Sequence, residues 1–245
     1  MSNENKKLSI IDHLSELRKR LITILVVNIL AALISYQFVN IIIQLILNLN
    51  KGMELVYITP SELFLVYVKL AITCGIIVSS PITLVQIWLF ISKGLRTKEK
   101  IYIVISLIVG IAFFVLGVVF CYNIVLPITI NFFAKITVPG ISAMISVNSF
   151  VSFISTMIIC FGVVFEMPVV IFLLSVIGLV KPETLIKKQP LIIIAIFVLA
   201  AFITPPDMIS QLFLAIPMVL LFELSIGISW IVNMIKTKKK KKLEE

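Results

Sequence analysis

Three glutamates carry the chemistry that this sequence offers. Glu16 lies in HLSELRKRL (residues 13–21), a carboxylate set inside a run of bases just before a long apolar stretch. Glu99 lies in KGLRTKEK between Lys98 and Lys100, and Glu166 lies in FGVVFEMPVV with apolar residues on both sides. A carboxylate receives a guanidinium in a planar, bidentate pair. Two such acids, each set among bases, suit a ligand bearing two arginines, while the flanking bases discourage capture of other cations. A simpler alternative stands beside each. Glu16 can pair at i,i+4 with Arg20, a contact worth about 0.2–0.5 kcal/mol, and Glu99 can be a solvated charge.

Glu166 differs in kind, because an acidic side chain at the bilayer centre costs about 2.5–3.5 kcal/mol on insertion scales and marks a functional site by default. It is expected to be neutral, paired, or facing a polar cavity or partner. Gln211, Thr204 and a polar residue of a partner protein are its candidate partners. A protonated carboxyl bonded within the bundle is the structural alternative.

The elements that must position these acids are membrane helices. The chain of 245 residues is 60% hydrophobic and 13% charged, with a mean hydropathy of +1.18, far from the roughly 25% charged composition of soluble domains. A soluble enzyme is excluded. Apolar runs at about 21–45, 62–91, 101–126, 150–178, 191–204 and 208–235 predict six spans. The polar first twenty residues and the long run after them predict an uncleaved first span.

Charge sorts the connections. Lys6, Lys7, Arg18, Lys19 and Arg20 precede the first span, and Lys93, Arg96, Lys98 and Lys100 lie between the second and third. Lys181, Lys187 and Lys188 lie between the fourth and fifth, and Lys236 with Lys238 to Lys242 follow the sixth. The alternate connections hold only Lys51 and Lys135. By the positive-inside rule both termini are cytoplasmic, and Glu16 and Glu99 share that membrane face. Residues 236–245 read as a polybasic cytoplasmic tail, a topology anchor that can also touch anionic lipid.

The fifth segment, 191–204, spans only ~21 Å as a helix against a hydrocarbon core of ~30 Å. It ends in Thr204-Pro205-Pro206-Asp207, which predicts a tight hairpin whose second helix is capped by Asp207 or Thr204. Such a hairpin draws polar flanks inward, rests in the headgroups, or thins the bilayer. Pro81, Gly162, Pro168 and Pro217 permit bends. The expected fold is therefore an all-α polytopic six-helix bundle, concave, with short fifth and sixth helices.

Ile10, Leu14, Leu17 and Leu21 form an apolar stripe with His13, Glu16 and Arg20 on its flank, an interfacial amphipathic helix leading into the first span. Lys69 is expected to snorkel, Glu223 to be structural, and His13 to be an interfacial polar residue. Cys74, Cys121 and Cys160 are isolated and read as buried thiols. With no phosphate loop, nucleophile elbow or metal-ligand spacing, neither enzyme activity nor a cofactor or metal is expected, and the charge distribution argues against nucleic acid.

Six ordered stretches resemble one family: HLSELRKRL, TPSELF at 59–64, SSPITLVQIWLFI at 79–91, TKEK at 97–100, FGVVFEMPVV at 161–170, and ITPPDMISQ with LAIPMVLLFE at 203–223. The sequence is similar to TatC, the signal-receptor subunit of the twin-arginine protein translocase, in a form most like that of Gram-positive bacteria. The resemblance implies that Glu16 and Glu99 bind the paired arginines of a signal peptide, with Arg18 and Phe90 in the same region. It also implies that Glu166 belongs to a polar cluster contacting single-span partners, of TatA type and, where present, TatB type. Lys93 stands where bacterial relatives usually carry a proline.

The resulting expectation is a plasma-membrane receptor and homo-oligomeric assembly core that exports folded proteins on the proton-motive force. The rival is a proton-coupled small-solute transporter using Glu166. It predicts activity from this chain alone and indifference to Glu16, although no internal repeat supports it.

Overall fold

A computed structural model describes residues 2–50, 53–92, 100–135, 144–203 and 208–244, with side chains placed at 14–50, 53–90, 101–135, 144–203, 208 and 211–238. Among these the helices are α1 (Ser2–Tyr36), α2 (Val39–Leu47), α3 (Pro60–Ser92), α4 (Lys100–Phe120), α5 (Leu126–Lys135), α6 (Val147–Phe165), α7 (Met167–Ile177), α8 (Pro182–Ile203) and α9 (Met208–Glu244). Two short strands, β1 (Glu54–Val56) and β2 (Met144–Ser146), pair in parallel with Leu55 opposite Ile145. They tie the connections after the first and third spans together.

Five spans are long and apolar enough to cross a membrane, and a bent pair, Leu14–Tyr36 with Val39–Leu47, makes the sixth. This first span, expected over 21–45, is bent, the chain turning by 78° between Tyr36 and Val39. Gln37 N–H donates to the Ile34 carbonyl and Phe38 N–H to that of Ser35, closing the helix with tight i−3 bonds. Val39 and Ile46 then bury in the core. Their burial is what turns the apolar run aside.

The third span also departs from its expected end at 126, running from Ile101 to Lys135. Pro127 has no N–H and so deprives the Asn123 carbonyl of its donor. The helix passes through a single π-helical turn, Cys121–Val125, and Leu126 N–H reaches the Cys121 carbonyl. A π turn absorbs the irregularity without ending the span.

Prolines act differently elsewhere. Helix α3 runs on through Pro81, because the freed Ile77 carbonyl accepts from the Ser80 hydroxyl at 2.7 Å. The fourth span breaks instead at Glu166, which is a turn residue between α6 and α7 just ahead of Pro168. At its end Gly178 adopts φ 87°, and both Gly178 and Leu179 N–H donate to the Leu174 carbonyl. That left-handed cap is the position where a Cβ would be strained.

The apolar part of α8 is short, but the helix begins at Pro182 and runs 22 residues, ~33 Å. Pro182 suits a first helical turn, and the buried Leu185 anchors it. The lysine-rich stretch is helical, for α9 continues to Glu244. Lys236 Nζ donates to the Ser175 carbonyl at 3.0 Å and so caps α7.

Packing follows the order α1 on α3, α3 on α4 and α6, α4 on α6 and α7, α7 on α9, and α9 on α8. Among the described residues the ends of that order, α1 and α8, are not extensively packed together, and the bundle is a concave arc. Helix α6 is its keystone, with Val151, Ile154, Met157 and Phe161 fully buried. Close crossings need small residues: a Cβ on Gly75 would stand 2.7 Å from Ala32 Cα, which brings α1 against α3.

Candidate functional site

Glu16 sits where the basic stem of α1 meets the end of α3. Its Oε1 accepts from Arg20 Nε at 2.8 Å and Nη2 at 2.6 Å. The third nitrogen, Arg20 Nη1, donates to Gln86 Oε1 on α3 at 3.1 Å. Both charged side chains are mostly covered, Arg20 at 17% and Glu16 at 13% exposure. The i,i+4 alternative for Glu16 is therefore present, but it is extended across two helices.

Arg18 is exposed on the same stem, and Phe90, half-buried, lies one turn beyond Gln86 on the same face of α3. Glu99 lies outside the described residues, as do Thr204, Pro205, Pro206, Asp207 and the side chain of His13.

Two turns deeper, a second polar rung joins the same helices. Asn28 Nδ2 donates to Thr83 Oγ1 at 3.4 Å and to the Ile24 carbonyl at 2.8 Å, and Ser79 Oγ donates to Asn28 Oδ1 at 2.9 Å. Asn28 and Thr83 also line a cavity of about 260 Å³ shared with Ser80, Trp88, Phe114 and Glu166. The rest of that cavity's lining is mainly apolar, with Leu84, Ile87 and Val170 beside the carboxylate-bearing wall.

Glu166 is 8% exposed, and neither of its oxygens has a hydrogen-bond partner among the described residues, nor has Trp88 Nε1. Gly110 of α4 makes room for the carboxylate, since a Cβ there would lie 2.9 Å from Oε2. Gln211, one of the candidate partners of Glu166, donates through Nε2 to the Phe197 carbonyl at 2.8 Å and so joins α9 to α8. The two residues line different cavities, Gln211 one with Phe197 and Phe202 and Glu166 the one with Asn28 and Thr83.

Lys69 reaches to the start of α6. Its ammonium donates to Asn148 Oδ1 at 2.9 Å and to Ser152 Oγ, both on α6. One turn and more towards the sheet end, Glu62 accepts from Ser146 Oγ, from Asn148 N–H at 3.3 Å and from Ile58 N–H at 2.9 Å. An acid at the start of α6 also complements the helix dipole. Sequence reasoning missed this clamp, and the only hint was the seven-residue spacing of Glu62 and Lys69. Glu223 Oε1 accepts from Gln189 Nε2 at 2.5 Å, which links α9 to α8. Of the cysteines, Cys121 is buried while Cys74 and Cys160 are half-buried, all three free.

Residues 12–217 match the family described as "Sec-independent protein translocase protein (TatC)". The chain belongs to the TatC family. It is 37% identical over 231 residues to the TatC of Carboxydothermus hydrogenoformans, covering 92% of this chain and 94% of that protein. It is 35% identical over 225 residues to TatC of Escherichia coli strain K12, covering 90% and 87%. A crystal structure described as the twin-arginine translocase receptor TatC superimposes with a TM-score of 0.82 at 33% identity, covering 90% of this chain and 99% of that one. A second, in the detergent DDM, gives 0.83 at 32%, covering 89% and 99%. TatC proteins are protein-transport components, and this one is a multi-pass membrane protein of that translocase.

Proposed function

We propose that the chain is the receptor and core subunit of a twin-arginine translocase, binding the paired arginines of a signal peptide at Glu16 and Glu99 on the cytoplasmic face. The observation that carries this reading is the node at Glu16, where a mostly covered carboxylate already holds a guanidinium through two donors. The chemistry needed for an RR signal is thus expressed by the chain on its own arginine. Arg18 and Phe90 flank the incoming peptide. Glu166 in its cavity meets a polar group of a single-span TatA-type or TatB-type partner, and Gln211 and Thr204 mark a second contact on the hairpin that Pro205, Pro206 and Asp207 close. Both termini lie in the cytoplasm, several copies assemble, and the proton-motive force drives export.

The test is binding of a fluorescent RR signal peptide and its KK counterpart to the purified protein, repeated with Glu16→Gln and Glu99→Gln. Selective RR binding that both variants lose supports the receptor. Equal binding of RR and KK, untouched by either change, overturns it.

One observation favours the transporter as a second reading: a buried carboxylate without a partner among the described residues, facing a cavity between spans, the arrangement expected of a proton-binding group. Proton-coupled solute uptake by vesicles holding this chain alone, lost on Glu166→Gln and unaffected by Glu16→Gln, would establish it.

A further inference from the structure

We propose that Arg20 is an internal competitor for the guanidinium seat at Glu16, and that Gln86 is the seat that keeps Arg20 when an incoming arginine takes its place. The inference rests on the receptor reading above and names how that site sets its threshold.

Arg20 is divided between two acceptors. Nε and Nη2 both converge on Glu16 Oε1, while Nη1 reaches Gln86 Oε1 on the facing helix. The bonds to the carboxylate, at 2.8 and 2.6 Å, are shorter than the bond to the amide at 3.1 Å, as expected when the acceptor is charged. The guanidinium thus has a strong seat on α1 and a weaker neutral one on α3, within reach of one side chain. No rearrangement of backbone is needed to move between them.

Any cationic ligand for Glu16 must first do what Arg20 does already. Because the pair is mostly covered, simple loss of the guanidinium would leave a desolvated carboxylate, whereas exchange for another guanidinium restores the pair. An ammonium cannot reproduce the fork and gains less than is lost in evicting Arg20. The competitor subtracts the same amount from every ligand, so it does not alter the ratio of RR to KK affinity. It places KK below the level at which binding is useful.

The experiment measures RR and KK peptide affinities for the full chain carrying Arg20→Met, which keeps the apolar stem, Arg20→Lys, which keeps the charge, and Gln86→Leu. Arg20→Met is expected to tighten both peptides by about tenfold, making KK binding measurable with the RR to KK ratio unchanged. Arg20→Lys moves both in the same direction by less, and carries the test should the Met variant fail to fold. Gln86→Leu is expected to weaken RR binding several-fold, but to have no effect in the Arg20→Met background, a coupling that a merely structural glutamine would not show.

If Arg20→Met and Arg20→Lys both weaken RR binding while Glu16→Gln abolishes it, Arg20 assists the ligand and the competitor idea falls, with the receptor intact. If the unaltered chain does not prefer RR and ignores Glu16→Gln, the receptor reading falls and takes this inference with it.

Discussion

Glu16 and Glu166 are the same side chain in opposite conditions. Glu16, near the end of the bundle, is paired with Arg20 and joined through it to Gln86. Glu166, buried at a break between two helices, has a cavity and no partner. Burying a charge without a partner costs several kilocalories, whereas a neutral carboxyl or an incoming donor removes most of that cost. A site already satisfied can only exchange one ligand for another. A site left unsatisfied gains from any partner that reaches it.

The sharpest way to break the contrast is Glu16→Gln. RR peptide affinity is expected to fall about 10- to 100-fold, the value of hydrogen bonds to a charged group, as read by peptide titration. Arg20 would lose its counter-charge in a mostly covered position, so stability should fall as well, by ~1–3 kcal/mol in denaturant titration of the detergent-solubilised protein. Glu166→Leu should do the reverse to stability. Removing two unpaired buried oxygens is expected to stabilise the chain by ~1–2 kcal/mol, while co-purification with a single-span partner declines. A loss of stability there would mean that Glu166 is held by bonds after all, and the contrast would dissolve.

What could be read in the sequence follows from whether one element or two decides a residue's state. The i,i+4 geometry of Glu16 and Arg20 is a property of one helix, and the pair is where periodicity puts it. Gln86 as third partner depends on how α1 and α3 rotate against each other, which no spacing within either segment encodes. Lys69 illustrates the same limit: Asn148 and Ser152, the partners of its ammonium, belong to α6 and are not encoded by any spacing within α3. Span ends followed local compensation and packing more than hydropathy. Pro127 is absorbed by a π turn and Pro81 by the Ser80 hydroxyl, while the first span turns aside because Val39 and Ile46 have a core to enter. The overall plan of spans was legible because it depends on hydropathy and charge alone.

Lys69 offers a milder test of the contrast, a membrane charge that is fully engaged by its neighbours. Lys69→Met removes the donor to Asn148 and Ser152 and is expected to cost ~1 kcal/mol, less than Glu16→Gln because the partners it strands are neutral and half-exposed to other donors. Thermal unfolding of the solubilised protein measures it. A stabilising outcome would place Lys69 with Glu166 among the charges that await a partner.

The smallest expected effect probes the room made for Glu166. An added methyl at Gly110 would stand 2.9 Å from Glu166 Oε2 and 3.4 Å from Oε1, so Gly110→Ala must push the carboxylate away from α4. The displaced group is the end of a flexible side chain next to a cavity, and the cost should be only ~0.5–1 kcal/mol. The informative quantity is the coupling. In a Glu166→Ala background the carboxylate is gone, the same methyl meets empty space, and alanine at a helical position is favoured over glycine. Gly110→Ala should therefore change sign from destabilising to neutral or stabilising. If it costs the same in both backgrounds, the methyl is opposed by the packing of α4 itself, and the space at Gly110 was not kept for the acid.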